Sequence, residues 1–201
     1  MKKSLNAAKF EELLLQALET ELGGVQVYET ALRCATQPEL REEWEKYHEQ
    51  TEQHVEKVRE VCAACGVDPE RETPGRAVVR HLGESLVAAM EMAIEAGDPE
   101  AAQVVACECV VLAETKDHAN WELLGEALKE LTGDARETLK EAHEEIEEQE
   151  DEHYYHTRGW CRELWIKGLG LPAVVPPPEE QKDVKTAIGA ARAKASREAM
   201  T

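Results

Sequence analysis

The sequence predicts an all-α fold: a bundle of four long helices with a long crossover, itself partly helical, between the second and the third. Three observations predict it. Apolar residues recur at three-and-four spacing over four long stretches. Capping residues, prolines and glycines stand at the ends of those stretches. Two of the joints are short and one is long, which implies two antiparallel hairpins linked across the length of the bundle.

Ser4 can cap a first helix running to about Thr36, and Pro38 opens a second that Gly66 closes. The loop from Val67 through Asp68-Pro69 to Pro74-Gly75 releases a shorter helix from about Arg76 to Ala96, ending at Gly97. At 1.5 Å per residue this helix spans about 30 Å, enough to traverse its long neighbours. Asp98-Pro99 reads as an N-cap followed by proline at the first helical position, opening a third long helix to about Thr132. Gly133-Asp134 is the next break, and the fourth long helix ends near Gly168 and Gly170. Residues 1–170 are read as one bundle domain, and 171–201 as a linker carrying Pro172, Pro176, Pro177 and Pro178, then a tail of weak helical character. Docking on a partner subunit and disorder are both open for that tail, with disorder or crystal-dependent ordering slightly ahead.

Composition excludes several functions. Lys plus Arg is 23 against 42 for Asp plus Glu, a formal charge of -19, so the surface repels nucleic acid and anionic lipid. The start of the chain has no apolar leader and no stretch suits a membrane span, so a cytoplasmic location is expected. Six cysteines lie within helical patterns and are expected to be reduced. Cys62-Ala63-Ala64-Cys65 has redox spacing, but it falls at a helix C-terminus, where the dipole raises a thiol pKa, so small buried thiols are expected instead.

Chemistry enters on the inward stripes. The first helix reads Leu14, Leu18, Glu21, Val25, Tyr28; the second Trp44, Tyr47, Thr51, His54, Val58. The third reads Cys107, Val111, Glu114, His118, Trp121; the fourth Leu139, His143, Ile146, Glu150, His153, Thr157. The topology makes the second and third long helices run in one direction and the first and fourth in the other. Glu21 then lies about 15 residues from its helix end, and His54, Glu114, Glu150 and His153 come to the same level within a turn. Burying unpaired carboxylates costs several kcal/mol each, so three in one layer imply protonation, ion pairing or bound cations. Acid-rich helices place some carboxylates inward by chance, and lone core histidines such as His81, His143 and His156 are read as hydrogen-bonded; depth, face and spacing together favour a metal for the other five.

Glu21 with Gly24 and Tyr28, Glu114 with Trp121, and Glu150-Asp151-Glu152-His153 resemble the ferritin-like superfamily of di-iron carboxylate four-helix bundles, over roughly residues 5–168. Pro38-Glu39-Leu40, the run Gln50-Thr51-Glu52-Gln53-His54-Val55 and the long mid-chain helix look most like its bacterial YciF-type stress proteins. The resemblance implies two iron ions, or manganese, held by Glu21, His54, Glu114, Glu150 and His153. It implies ferrous-iron oxidation or peroxide reduction, with metal ions and oxygen or peroxide as partners, in a homodimer engaged in stress defence. One departure stands out: where the fourth helix has Glu-x-x-His, the second has Thr51-x-x-His54. Three carboxylates leave two divalent ions with one positive charge, which a bridging hydroxide or oxide could neutralise, or the site holds a single ion. His118, Thr51, His48 and Glu52 are the candidate substitute ligands. A non-enzymatic helical stress or interaction protein with a degenerate or mononuclear site is the alternative.

Overall fold

The structure, a computed structural model, describes residues 5–201 and contains seven helices among them. The long ones are α1 (Ala7–Cys34), α2 (Pro38–Ala64), α4 (Pro99–Leu128) and α5 (Asp134–Gly168), with the crossover helix α3 (Pro74–Glu95) between the second and third. Two short helices, α6 (Pro178–Gln181) and α7 (Ala187–Arg197), follow. The expected Ser4 cap lies outside the described residues; the Asn6 side chain accepts from the Lys9 N–H at the start of α1. Thr73 and Asp98 cap α3 and α4 in the same way, each followed by proline at the first helical position. Gly66 takes φ 69° just beyond α2, a left-handed conformation that ends the helix at little cost to glycine alone.

The core is split in two. Leu14, Leu15 and Leu18 of α1 pack with Val58 and Cys62 of α2, Leu124 of α4, and Leu139 and Ile146 of α5. Val27, Tyr28 and Ala31 of α1 pack with Trp44 and Tyr47 of α2, Ala106 and Val110 of α4, and Trp160 and Leu164 of α5. Low numbers in α1 therefore meet high numbers in α2 and α4 and low numbers in α5, which is the antiparallel arrangement the crossover requires. Between the two apolar halves lies a layer of buried polar side chains.

α3 lies across α1 and α4. Its axis comes close to α1 where Gly83 faces Gly23; a Cβ on Gly83 would stand 3.4 Å from the Gly23 Cα. Arg76, at its start, is buried and donates to Glu19 and to the carbonyls of Pro69 and Arg71, tying the long loop to α1.

The tail corrects the expectation of disorder: it folds back on α5. Arg162 holds Glu179 with two hydrogen bonds, 2.6 and 2.9 Å. Arg197 of α7 reaches buried Glu163 at 2.6 Å, and Glu163 also accepts from the Val174 N–H. Gly159 makes room for this contact, since a Cβ there would meet the Glu179 carboxylate at 2.8 Å. Charge pairs tie the tail to α5, and Pro178, Val184 and Ala193 are buried within it.

No helix among the described residues is long and apolar enough to cross a membrane. All six cysteines are free, and burial pushes the Cys62 thiol up to about 11, consistent with an inert packing role.

Candidate metal centre

The polar layer is built one helix at a time. In α1, Glu21 follows Leu14 and Leu18 on the core face, because the apolar stripe at three-and-four spacing leaves position 21 nowhere else to point. In α2, Tyr47, Thr51 and His54 continue the face of Leu40 and Trp44. Glu150 and His153, one turn apart in α5, point inward together. Glu114 comes from α4. These carboxylates and imidazoles are between 0 and 5 % exposed.

They meet as two overlapping groups. Ligand atoms of Glu21, His54 and Glu150 lie within 4.8 Å of one another, and so do those of Glu114, Glu150 and His153; Glu150 belongs to both. His54 Nδ1 stands 3.0 Å from Glu150 Oε1 and 3.4 Å from Glu21 Oε2. His153 Nδ1 stands 3.5 Å from Glu150 Oε1 and 3.9 Å from Glu114 Oε2. The two imidazoles are stacked, 5.9 Å apart at 17°.

Hydrogen bonds from outside turn each ligand toward the shared space. His54 Nε2 lies 2.8 Å from the Gln149 side-chain carbonyl and His153 Nε2 lies 3.0 Å from that of Gln50. A carbonyl only accepts, so Nε2 carries a proton and Nδ1 is the ring atom that each histidine turns to the centre. Trp121 Nε1 donates to Glu21 Oε1 at 3.0 Å, and the Tyr28 hydroxyl donates to Glu114 Oε1 at 2.6 Å. One oxygen of each carboxylate is thereby committed.

The remaining atoms have no hydrogen-bond partner although all are buried: Glu21 Oε2, Glu114 Oε2, Glu150 Oε2, His54 Nδ1, His153 Nδ1 and Asp117 Oδ1. Buried polar atoms are nearly always paired, and the five orphans of the two groups, with Asp117 one turn from Glu114, fit a bound cation. The electrostatics agree. Burial raises Glu150 well above the ordinary carboxylate range, with Glu114, Asp117 and Glu21 adding to it. Burial also raises Glu114. His54 is raised, the carboxylates around it outweighing burial, whereas burial and neighbouring His54 hold His153 well below its usual value.

The four substitute candidates do not come to this space. The Thr51 hydroxyl donates to the Tyr47 carbonyl at 2.8 Å, one turn back. His118 faces outward and pairs with Asp151 at 2.6 Å. His48 lies near Glu29 and Glu52, and Glu52 is exposed. A four-residue step from Glu114 leads to His118; the observed face of α4 takes the three-residue step, Val110, Glu114, Asp117, Trp121, Leu124. Asp117 is therefore in the layer, 5 % exposed, and burial with the charges of Glu21 and Glu114 pushes it well above the usual range. Reading the stripe through Leu124 rather than Val111 would have found it. Gln50 and Gln149 were also missed; their signal is that each immediately precedes Thr51 or Glu150, so Gln-x-x-x-His occurs in both helices.

A third acidic group among the described residues, Glu43, Glu152 and His156, is already paired. His156 Nδ1 lies 2.9 Å from Glu43, which also accepts from Tyr47, while Lys46 pairs with Glu152.

The sequence model of a family described as "Domain of unknown function (DUF892)" matches residues 7–111, just over half of the chain. The match runs through the first hairpin, the crossover and the start of α4, so it includes Glu21 and His54. Neither a curated protein nor a solved structure matches the chain.

Proposed function

The chain belongs to the DUF892 family, and from that premise and the buried layer we propose that it is a ferritin-like dinuclear metalloprotein that oxidises ferrous iron or reduces peroxide. The observation that carries the reading is the pair of three-ligand groups sharing Glu150, with one oxygen of each glutamate and Nδ1 of each histidine left unpaired. Carboxylate and imidazole donors suit iron or manganese. Glu21, His54 and Glu150 would hold one ion and Glu114, His153 and Glu150 the other, in the two-Glu, two Glu-x-x-His scheme of such bundles minus the carboxylate that Thr51 lacks. When bound, the metals supply one-electron steps between their divalent and trivalent states to oxygen or peroxide.

The protein's part is positional. Gln50 and Gln149 fix the imidazole tautomers, and Tyr28 and Trp121 hold one oxygen of Glu114 and Glu21 each. The apolar halves of the bundle above and below keep bulk water from the layer. A cleft of about 300 Å³ lined by Thr20, Gly24, Leu82, Gly83, Leu112 and Lys116 reaches the same level between α1, α3 and α4.

The test is metal content by mass spectrometry, on protein from cells grown with iron and manganese. Close to two ions per chain are expected, abolished by Glu114→Ala with Glu150→Ala, together with near-ultraviolet absorbance after aerobic addition of ferrous iron. A chain that binds no metal and leaves ferrous iron to oxidise at its background rate would be a non-enzymatic bundle, and the redox reading would be wrong.

A further inference from the structure

Three carboxylates in the two groups leave a pair of divalent ions one charge short, and nothing on α2 supplies the fourth: Thr51 has its hydroxyl turned to Tyr47 and its methyl against Gly24, where a Cβ would come within 3.1 Å. The compensating group is across the bundle. Asp117 sits one turn after Glu114 on the same inward face of α4 and one turn before Trp121, the residue that holds Glu21. It is 95 % buried, makes no ion pair with any lysine, arginine or histidine of the described residues, and leaves Oδ1 without a partner. The groups that act on it are the carboxylates of Glu21, Glu114 and Glu150, and Glu21 and Glu150 also lie within hydrogen-bonding reach of it. The nearest cation on its own helix, Lys116, points to Asn120 instead.

A carboxylate placed among three others, with no cation to meet it, raises the energy of the metal-free protein. A cation arriving in the layer removes that cost. We infer that Asp117 is the fourth carboxylate ligand of the centre, moved from α2 to α4, and that it completes the ion on the Glu21–His54 side. This rests on the dinuclear reading above. With it, four carboxylates balance two divalent ions and no additional anion is needed for neutrality.

The experiment is an anaerobic titration of the full chain with ferrous iron and, separately, manganese(II), read by bound metal per chain and by the melting temperature with and without metal. Asp117→Asn, which keeps the shape and removes the charge, should hold one ion as tightly as the unaltered protein and the second at least about 100-fold more weakly, at or beyond the top of the range seen when outer partners of metal ligands are lost. Asp117→Glu should restore the second ion. Without metal, Asp117→Asn should melt at the same temperature or higher, because a buried ionisable carboxyl with no lysine or arginine partner has left the layer, while the rise in melting temperature on adding metal shrinks. Two ions bound at unaltered affinity by Asp117→Asn would overturn this assignment and leave the dinuclear reading intact. An Asp117→Asn chain that unfolds or melts lower without metal would give Asp117 a structural role and also overturn it. No metal in the unaltered protein would remove both.

Discussion

The two hairpins of the bundle, α1 with α2 and α4 with α5, carry the same frame and different charge. Glu21 and Glu114 occupy equivalent places, as do Tyr28 and Trp121 seven residues on, Gln50 and Gln149, and His54 and His153. The support is exchanged between hairpins: Tyr28 holds Glu114 and Trp121 holds Glu21, while Gln149 holds His54 and Gln50 holds His153. The departures are Thr51 against Glu150 and Gly24 against Asp117. One hairpin thus brings a single carboxylate to the layer and the other brings three. Hydrogen-bonding geometry can be kept two-fold while the charge is moved to one side, because a cation responds to the sum of charge around it and the frame only has to orient the donors.

The largest effect should come from Glu150, which takes part in both ligand groups. Glu150→Ala should abolish binding of both ions, whereas the equivalent change on the other hairpin, Thr51→Val, should leave metal content unaltered. Metals per chain by mass spectrometry decides it, and a Glu150→Ala chain that kept either ion at full affinity would show that the carboxylate is not shared.

Next in size are the histidines. His54→Ala and His153→Ala should each remove one ion and leave the other, since each imidazole belongs to one group only. Loss of both ions from either variant would mean that the centre assembles as a single cooperative unit, and the comparison of two half-sites would fail.

Gln50→Leu and Gln149→Leu should each weaken metal binding by about 10- to 100-fold, the usual cost of losing the partner that orients a ligating imidazole. The two variants should act equally, since the frame is two-fold at this point. Isothermal titration with manganese(II) reads both. A tenfold difference between them would show that the pseudo-symmetry does not extend to the supporting residues.

These features were unequally legible in the sequence. The helices, the crossover and Glu21, His54, Glu114, Glu150 and His153 could be read because stripe, punctuation and depth all point the same way; each is fixed by apolar neighbours on both sides. Asp117 is less legible, because on α4 two apolar stripes are open after Glu114, and an aspartate is nearly always solvated, which favours His118 for the inward place. The structure resolves that choice through Trp121 and Leu124, which turn the three-residue step inward. The docked tail was hidden for a different reason. Its contacts include the ion pairs of Arg162 with Glu179, Arg197 with Glu163 and Lys185 with Glu152, and an ion pair leaves no periodic trace in a chain with this much charge.

The smallest expected effect separates frame from ligand. Tyr28→Phe keeps the ring in its packing against Tyr47 and removes only the donor to Glu114. It leaves a buried carboxylate oxygen without its partner, which should cost about 1.5–3 kcal/mol in the metal-free protein, measured by denaturant unfolding. Affinity for metal should move less than about tenfold, because the freed carboxylate is a stronger donor but a less well oriented one, and a tenfold change corresponds to only about 1.4 kcal/mol. Trp121→Phe removes the matching donor to Glu21 but also opens space in a fully buried site, so it should destabilise more while changing affinity equally little. If Tyr28→Phe instead abolished metal binding while Trp121→Phe did not, the hydroxyl would be part of the ligand set, and the two hairpins would differ in their donors as well as in their charge.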